Sequence, residues 1–226
     1  MIYLWAIATI VVFLLLKKLL TPITSPLANP LLWSMSFFIL LFSLSSLDYQ
    51  QYKQANQLFI WLLEPAVVAF AIPLFNQVKQ IKQQVAAILI SCSAGVVVAM
   101  GSGLAVAYAF TSDKQLLLSL LPKSVTSPIA MAIANQTGGL AALSAAVVIA
   151  VGLLGALGGF TLLKWCNITN PQAQGLAMGC SAHAIGTAKA IETGKEEGAF
   201  SSLALVISGI LTAILAPVFA WIIQGL

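Results

Sequence analysis

The only histidine in the chain, His183, lies in a stretch from Gly175 to Glu192 that also holds Ser181, Thr187, Lys189 and Glu192. An imidazole changes charge near neutral pH and can serve a proton-coupled step, or it can simply be satisfied by a backbone carbonyl. On a continuous helix Gly175, Gly179, His183 and Thr187 fall four residues apart and share one face. Lys189 and Glu192, three apart, can neutralise each other. A second polar group is Pro122-Lys-Ser-Val-Thr-Ser-Pro128. If a half-helix begins near Thr126 to Pro128, its unpaired N–H groups and the hydroxyls of Ser124, Thr126 and Ser127 form an anion site, with Lys123 supplying charge. Otherwise the segment is an interfacial loop from which Lys123 reaches the headgroups. A third is Glu64-Pro65, where a proline and an acid interrupt an apolar run, which predicts a helix break and a proton or ion site. Lys123, Ser124, Thr126, Ser127, His183, Thr187 and Lys189 are therefore the expected anion-binding set, with Glu64, Glu192 and His183 as candidates for coupling.

These residues do not make an enzyme. The chain has no GxSxG elbow, HExxH helix or Walker loop. One histidine and scattered acids predict no metal site and no cofactor. Cys92, Cys166 and Cys180 are odd in number and lack CxxC spacing, so they read as packing residues.

The elements that must hold these groups are membrane helices. Of 226 residues, 60% are hydrophobic and 7% charged, against about 25% charged in a soluble domain. The positive charge is all lysine and is scattered, so no nucleic-acid partner is expected. The apolar runs predict an all-α polytopic membrane protein of six to eight helical elements in a lipid bilayer. Spans are expected at 2–20, 31–47, 85–110, 140–164 and 199–224, with interrupted or re-entrant segments at 58–75 and 116–136. The segment 48–57 reads as a polar loop and 79–84 as a basic one. Lys17 and Lys18 end the first span and Lys79 and Lys82 follow the third element, the interrupted segment 58–75, which places both pairs in the cytoplasm and the N-terminus outside. The chain reads as one membrane domain divided into N-terminal spans (1–57) and two repeats, 58–114 around Glu64-Pro65 and 115–226 around Pro122–Pro128. Interrupted segments in corresponding positions of two halves point to a transporter's binding site.

Three motifs in one order, Leu121-Pro-Lys-Ser-Val-Thr-Ser-Pro-Ile-Ala130, Ala182-His-Ala-Ile-Gly-Thr-Ala-Lys-Ala190 and Glu196-Glu-Gly-Ala-Phe-Ser-Ser202, resemble the LrgB/CidB family. With Glu64-Pro65 the likeness covers residues 30 to 226. It implies a bacterial inner-membrane protein that works with a small LrgA/CidA-type membrane subunit, in a homo- or hetero-oligomer. The family's names imply holin-like or antiholin-like control of murein hydrolase export and autolysis. Its plastid relative implies translocation of glycolate and glycerate, and bacterial members imply pyruvate. Two polar breaks are more apparatus than a lesion-forming protein requires. The expected function is transport of a small organic anion, with an antiholin-like regulator lacking a substrate as the alternative.

Overall fold

The computed structural model describes residues 2–23, 28–69 and 71–225, and the regular structure among them is helical. The chain forms two compact units, residues 1–69 and 70–226. The boundary falls inside the first of the two expected repeats.

The first unit contains α1 (Ile2–Leu20), α2 (Pro30–Leu44), α3 (Tyr49–Ala55) and α4 (Gln57–Ala69). Asn29 caps α2 through a 2.9 Å bond from the Leu31 N–H, and Pro30 occupies the first helical position, where its missing N–H costs nothing. The expected polar loop at 48–57 is a short helix. Asp48 starts it by accepting the Gln50 N–H at 2.8 Å. The rings of Trp5, Phe38, Phe42, Tyr49 and Tyr52 form one cluster. The predicted break at Glu64-Pro65 is corrected: α4 runs through Pro65 without interruption. In hydrocarbon the helix is the only conformation that satisfies most of the backbone, so neighbouring turns tolerate one missing N–H.

The second unit contains α5 (Ala71–Asn76), α6 (Val78–Gln83), α7 (Val85–Phe110), α8 (Lys114–Leu120), α9 (Ser127–Thr137), α10 (Ala141–Trp165), α11 (Pro171–Thr193) and α12 (Lys195–Gly225). The expected basic loop at 79–84 is mostly α6. Among the described residues, α7, α10 and α12 are long and apolar enough to cross a bilayer. Their outward faces carry residues such as Ile90, Val98, Phe110, Leu154 and Trp221, which suit contact with lipid.

α11 reverses direction in its middle. His183 has φ 41° and ψ −138°, outside helical geometry. Gly175 packs on Phe200 and Gly179 on Ala204, so residues 171–182 run in the same sense as α12. Thr187 meets Ser201 and Ile191 meets Gly198, so residues 184–193 run against it. A Cβ placed on Gly186 would lie 3.1 Å from the Met178 carbonyl oxygen. Eight residues of straight helix would separate those positions by about 12 Å. The chain therefore turns back on itself at His183. The expectation that His183 and Thr187 share a face with Gly175 and Gly179 is corrected, because that periodicity requires an unbroken helix.

α8 and α9 form the other interrupted segment, separated by residues 121–126. Because α10 crosses once between them, the α8–α9 segment and the α11 hairpin enter from opposite faces. Polar contacts mark those faces. Where α8 starts and α12 ends, Lys114 Nζ donates to the Gln224 carbonyl at 2.8 Å. Where α7, α11 and α12 start, Gln84 Nε2 donates to Gln172 Oε1 at 2.8 Å, and Gln172 Nε2 lies 3.5 Å from Glu196 Oε2.

Candidate functional site

The turn of the α11 hairpin is tightly filled. His183 is 2% exposed, and its Nε2 lies 2.7 Å from the Val148 carbonyl oxygen of α10. A carbonyl only accepts, so Nε2 carries the proton and Nδ1 is the free acceptor of the neutral ring. Gly152 makes room for this ring, since a Cβ there would sit 2.5 Å from Cε1 and 2.6 Å from Nε2. Below it Gly155 receives Ala182 and Gly159 receives Met178. The glycine spacings in α10 and α11 thus serve close helix packing, as their GxxxG pattern predicts.

The α8–α9 break is built differently. Thr126 is the N-cap of α9, yet its side chain makes no capping bond. Pro128 lies in the first turn, where it leaves no donor unpaired. The Ser124 hydroxyl oxygen is buried and has no hydrogen-bond partner. Lys123 is half-buried and lies across Gly103 of α7, where a Cβ would come 3.2 Å from Cδ. Among the described residues it has no acidic partner. A cation, a free hydroxyl, an uncapped helix start and its backbone donors therefore share one short segment.

The two breaks meet on α10 and α12. Val148, whose carbonyl takes the His183 bond, packs its side chain against Val125 and Ala130 of the α8–α9 segment. Ser144 Oγ donates to the Ala130 carbonyl at 3.4 Å, one turn earlier on the same helix. On α12, Ser208 Oγ lies 3.1 Å from Cys180 Sγ of α11, while the adjacent Gly209 faces Ile129 of α9. Neither Val148 nor Ser208 carries a signal in the sequence; only the glycines at 152 and 209 mark the close approaches.

Not every expected residue joins this meeting point. Thr187 is fully buried, with its hydroxyl 2.9 Å from Ser201 Oγ, so it ties α11 to α12. Lys189 and Glu192 form the expected ion pair at 3.1 Å, exposed on the arm leaving the turn. Six residues of helix put Lys189 about 9 Å beyond His183. Ser127 occupies the first turn of α9. The backbone of Glu64 is within α4, and its side chain lies outside the described residues. Two cavities stand apart from the meeting point. One of about 640 Å³ in the first unit is lined by apolar residues such as Phe13, Met35 and Phe38. The other, about 240 Å³, lies between α9 and α12.

Comparison with known proteins gives a consistent result. The LrgB-like family matches residues 9–222. The chain is similar to the Bacillus subtilis protein YxaC, with 34% identity over 95% of this chain and 93% of the relative. It is 33% identical to the antiholin-like protein LrgB of Bacillus subtilis, over 88% of this chain and 86% of the relative. It is 30% identical to the holin-like protein CidB of Staphylococcus epidermidis, over 93% and 92%. No solved structure matches.

Proposed function

The chain belongs to the LrgB-like family, and from that premise we propose that it moves small organic carboxylates, of the glycolate, glycerate or pyruvate kind, across a bacterial inner membrane. The observation that carries this reading is the meeting of two oppositely entering breaks at Val148, one of them bearing Lys123 and the unpaired Ser124 hydroxyl. Taking a carboxylate out of water costs several kcal/mol even after relaxation. Lys123, Ser124, Thr126, Ser127 and the first N–H groups of α9 offset that cost, and His183 faces them across α10. Thr187 and Lys189 then act on the hairpin's packing and surface, while Glu64 is the remaining candidate for proton coupling. The segment 78–84 is cytoplasmic and the N-terminus outside, and a small LrgA/CidA-type subunit completes the assembly.

A second reading has support of its own. Some relatives are named holin-like and antiholin-like, and these names favour the alternative, an antiholin-like regulator that carries no substrate. Uptake of labelled glycolate, glycerate and pyruvate into proteoliposomes, with and without the small subunit, separates the two. The carrier reading expects saturable uptake, and Lys123→Gln and His183→Ala should couple by ~0.5 kcal/mol or more in a double-mutant cycle. Absence of uptake together with release of a trapped dye would favour the holin-like reading.

A further inference from the structure

α9 presents opposite electrostatics at its two ends. Its N-terminus faces the break that carries Lys123, whereas its C-terminus, closed by Gly138 at φ 93°, lies beside the last turns of α12. Both helices therefore direct the negative ends of their dipoles to the same face. Between them is the 240 Å³ cavity, lined by Gln136, Thr137, Ala213, Pro217 and Gln224, with Trp221 at its side.

The lining offers several neutral oxygens. Pro217 lies inside α12 and has no N–H, so the Ala213 carbonyl four residues earlier loses its helical partner. Thr137 Oγ1 donates its proton to the Ile133 carbonyl at 2.8 Å, which leaves its lone pairs free. The Gln136 side chain makes no hydrogen bond with another described residue, so its amide oxygen is available as well. Among the described residues, no aspartate or glutamate lines the cavity. Divalent cages depend on carboxylates, whereas neutral oxygens suit a singly charged hard ion. The fold already places one cation at this end, for Lys114 Nζ sits on the Gln224 carbonyl.

We infer that the cavity between α9 and α12 binds a monovalent alkali cation, held by the Ala213 carbonyl and the side-chain oxygens of Gln136 and Thr137. Sodium is the probe. The site does not depend on the carrier reading, although in a carrier it would supply the coupling ion.

Equilibrium binding of radiolabelled sodium to the purified full chain, in choline buffer without carboxylate, tests this. Saturable binding is expected. Gln136→Leu removes a ligand and Pro217→Ala returns an N–H to the Ala213 carbonyl, and each should weaken binding about tenfold or more. Lys114→Gln should tighten it about threefold by removing a nearby like charge. Thermal melting of each variant checks that it is folded. No saturable binding, or wild-type binding in both Gln136→Leu and Pro217→Ala, overturns the site. Carboxylate uptake that persists without sodium binding would overturn this site alone and leave the carrier reading standing.

Discussion

The two interrupted segments of the second unit solve the same problem in opposite ways. At His183 the chain reverses with most of its polar groups paired: the ring bonds to Val148 through Nε2, Thr187 pairs with Ser201, and a glycine row in α10 receives the turn. At residues 121–126 the chain breaks with polar groups left over: among the described residues Ser124 has no partner, Thr126 does not cap, and Lys123 has no acid. Buried polar groups are expensive when unpaired. A segment that keeps them free is suited to a ligand, and one that pairs most of them is suited to hold its neighbour in place. The difference assigns capacity for binding chiefly to the α8–α9 break and rigidity to the α11 hairpin.

If that contrast is right, substitutions at the hairpin cost stability while those at the break cost binding. The largest effect is expected at Gly152→Ala, whose Cβ collides with the His183 ring and should destabilise by about 2 kcal/mol. Gly158→Ala is the control, because a Cβ there meets nothing within 4 Å; it should melt no lower than the wild type in detergent. Equal melting of the two would remove the close-packed hairpin from the argument.

Thr187→Val comes next. It leaves the Ser201 hydroxyl without its side-chain partner in a dry interface and should cost about 1–2 kcal/mol in the same assay. No loss would show that α12 can satisfy Ser201 by itself.

A smaller effect separates backbone from side chain at the turn. Both His183→Gly and His183→Ala lose the ring, but only alanine must keep a β-carbon at positive φ. The glycine variant should be the more stable by about 1 kcal/mol. The reverse order would mean that the turn relaxes once the imidazole is gone.

The smallest stability change is expected at Lys123→Gln, within about 0.5 kcal/mol of wild type, since no partner is lost. Its carboxylate affinity should nonetheless fall about tenfold or more. A large drop in melting temperature would turn Lys123 into a structural residue and erase the contrast.

Much of this protein is legible from composition and local pattern. A chain this apolar must satisfy its backbone in helices, so α7, α10 and α12 fall close to the expected spans. The break at Pro122–Pro128 is readable because two prolines and three hydroxyls act within a few residues of themselves. The Lys189–Glu192 pair is readable for the same reason, being a local contact. Tertiary structure decided the rest. Pro65 has the same chemistry as a helix breaker but sits in a continuous α4, so surroundings, not residue type, set the outcome. The reversal at His183 has no decisive local signature, because histidine's modest tolerance of positive φ is mostly for the αL region, not for ψ −138°, and the flanking alanines favour a straight helix. It is held by contacts distant in sequence, the Val148 carbonyl 35 residues away and the space left by Gly152. Such contacts exist only after α10 and α12 have packed, and for that reason the convergence of the two breaks belongs to the fold and not to any stretch of the sequence.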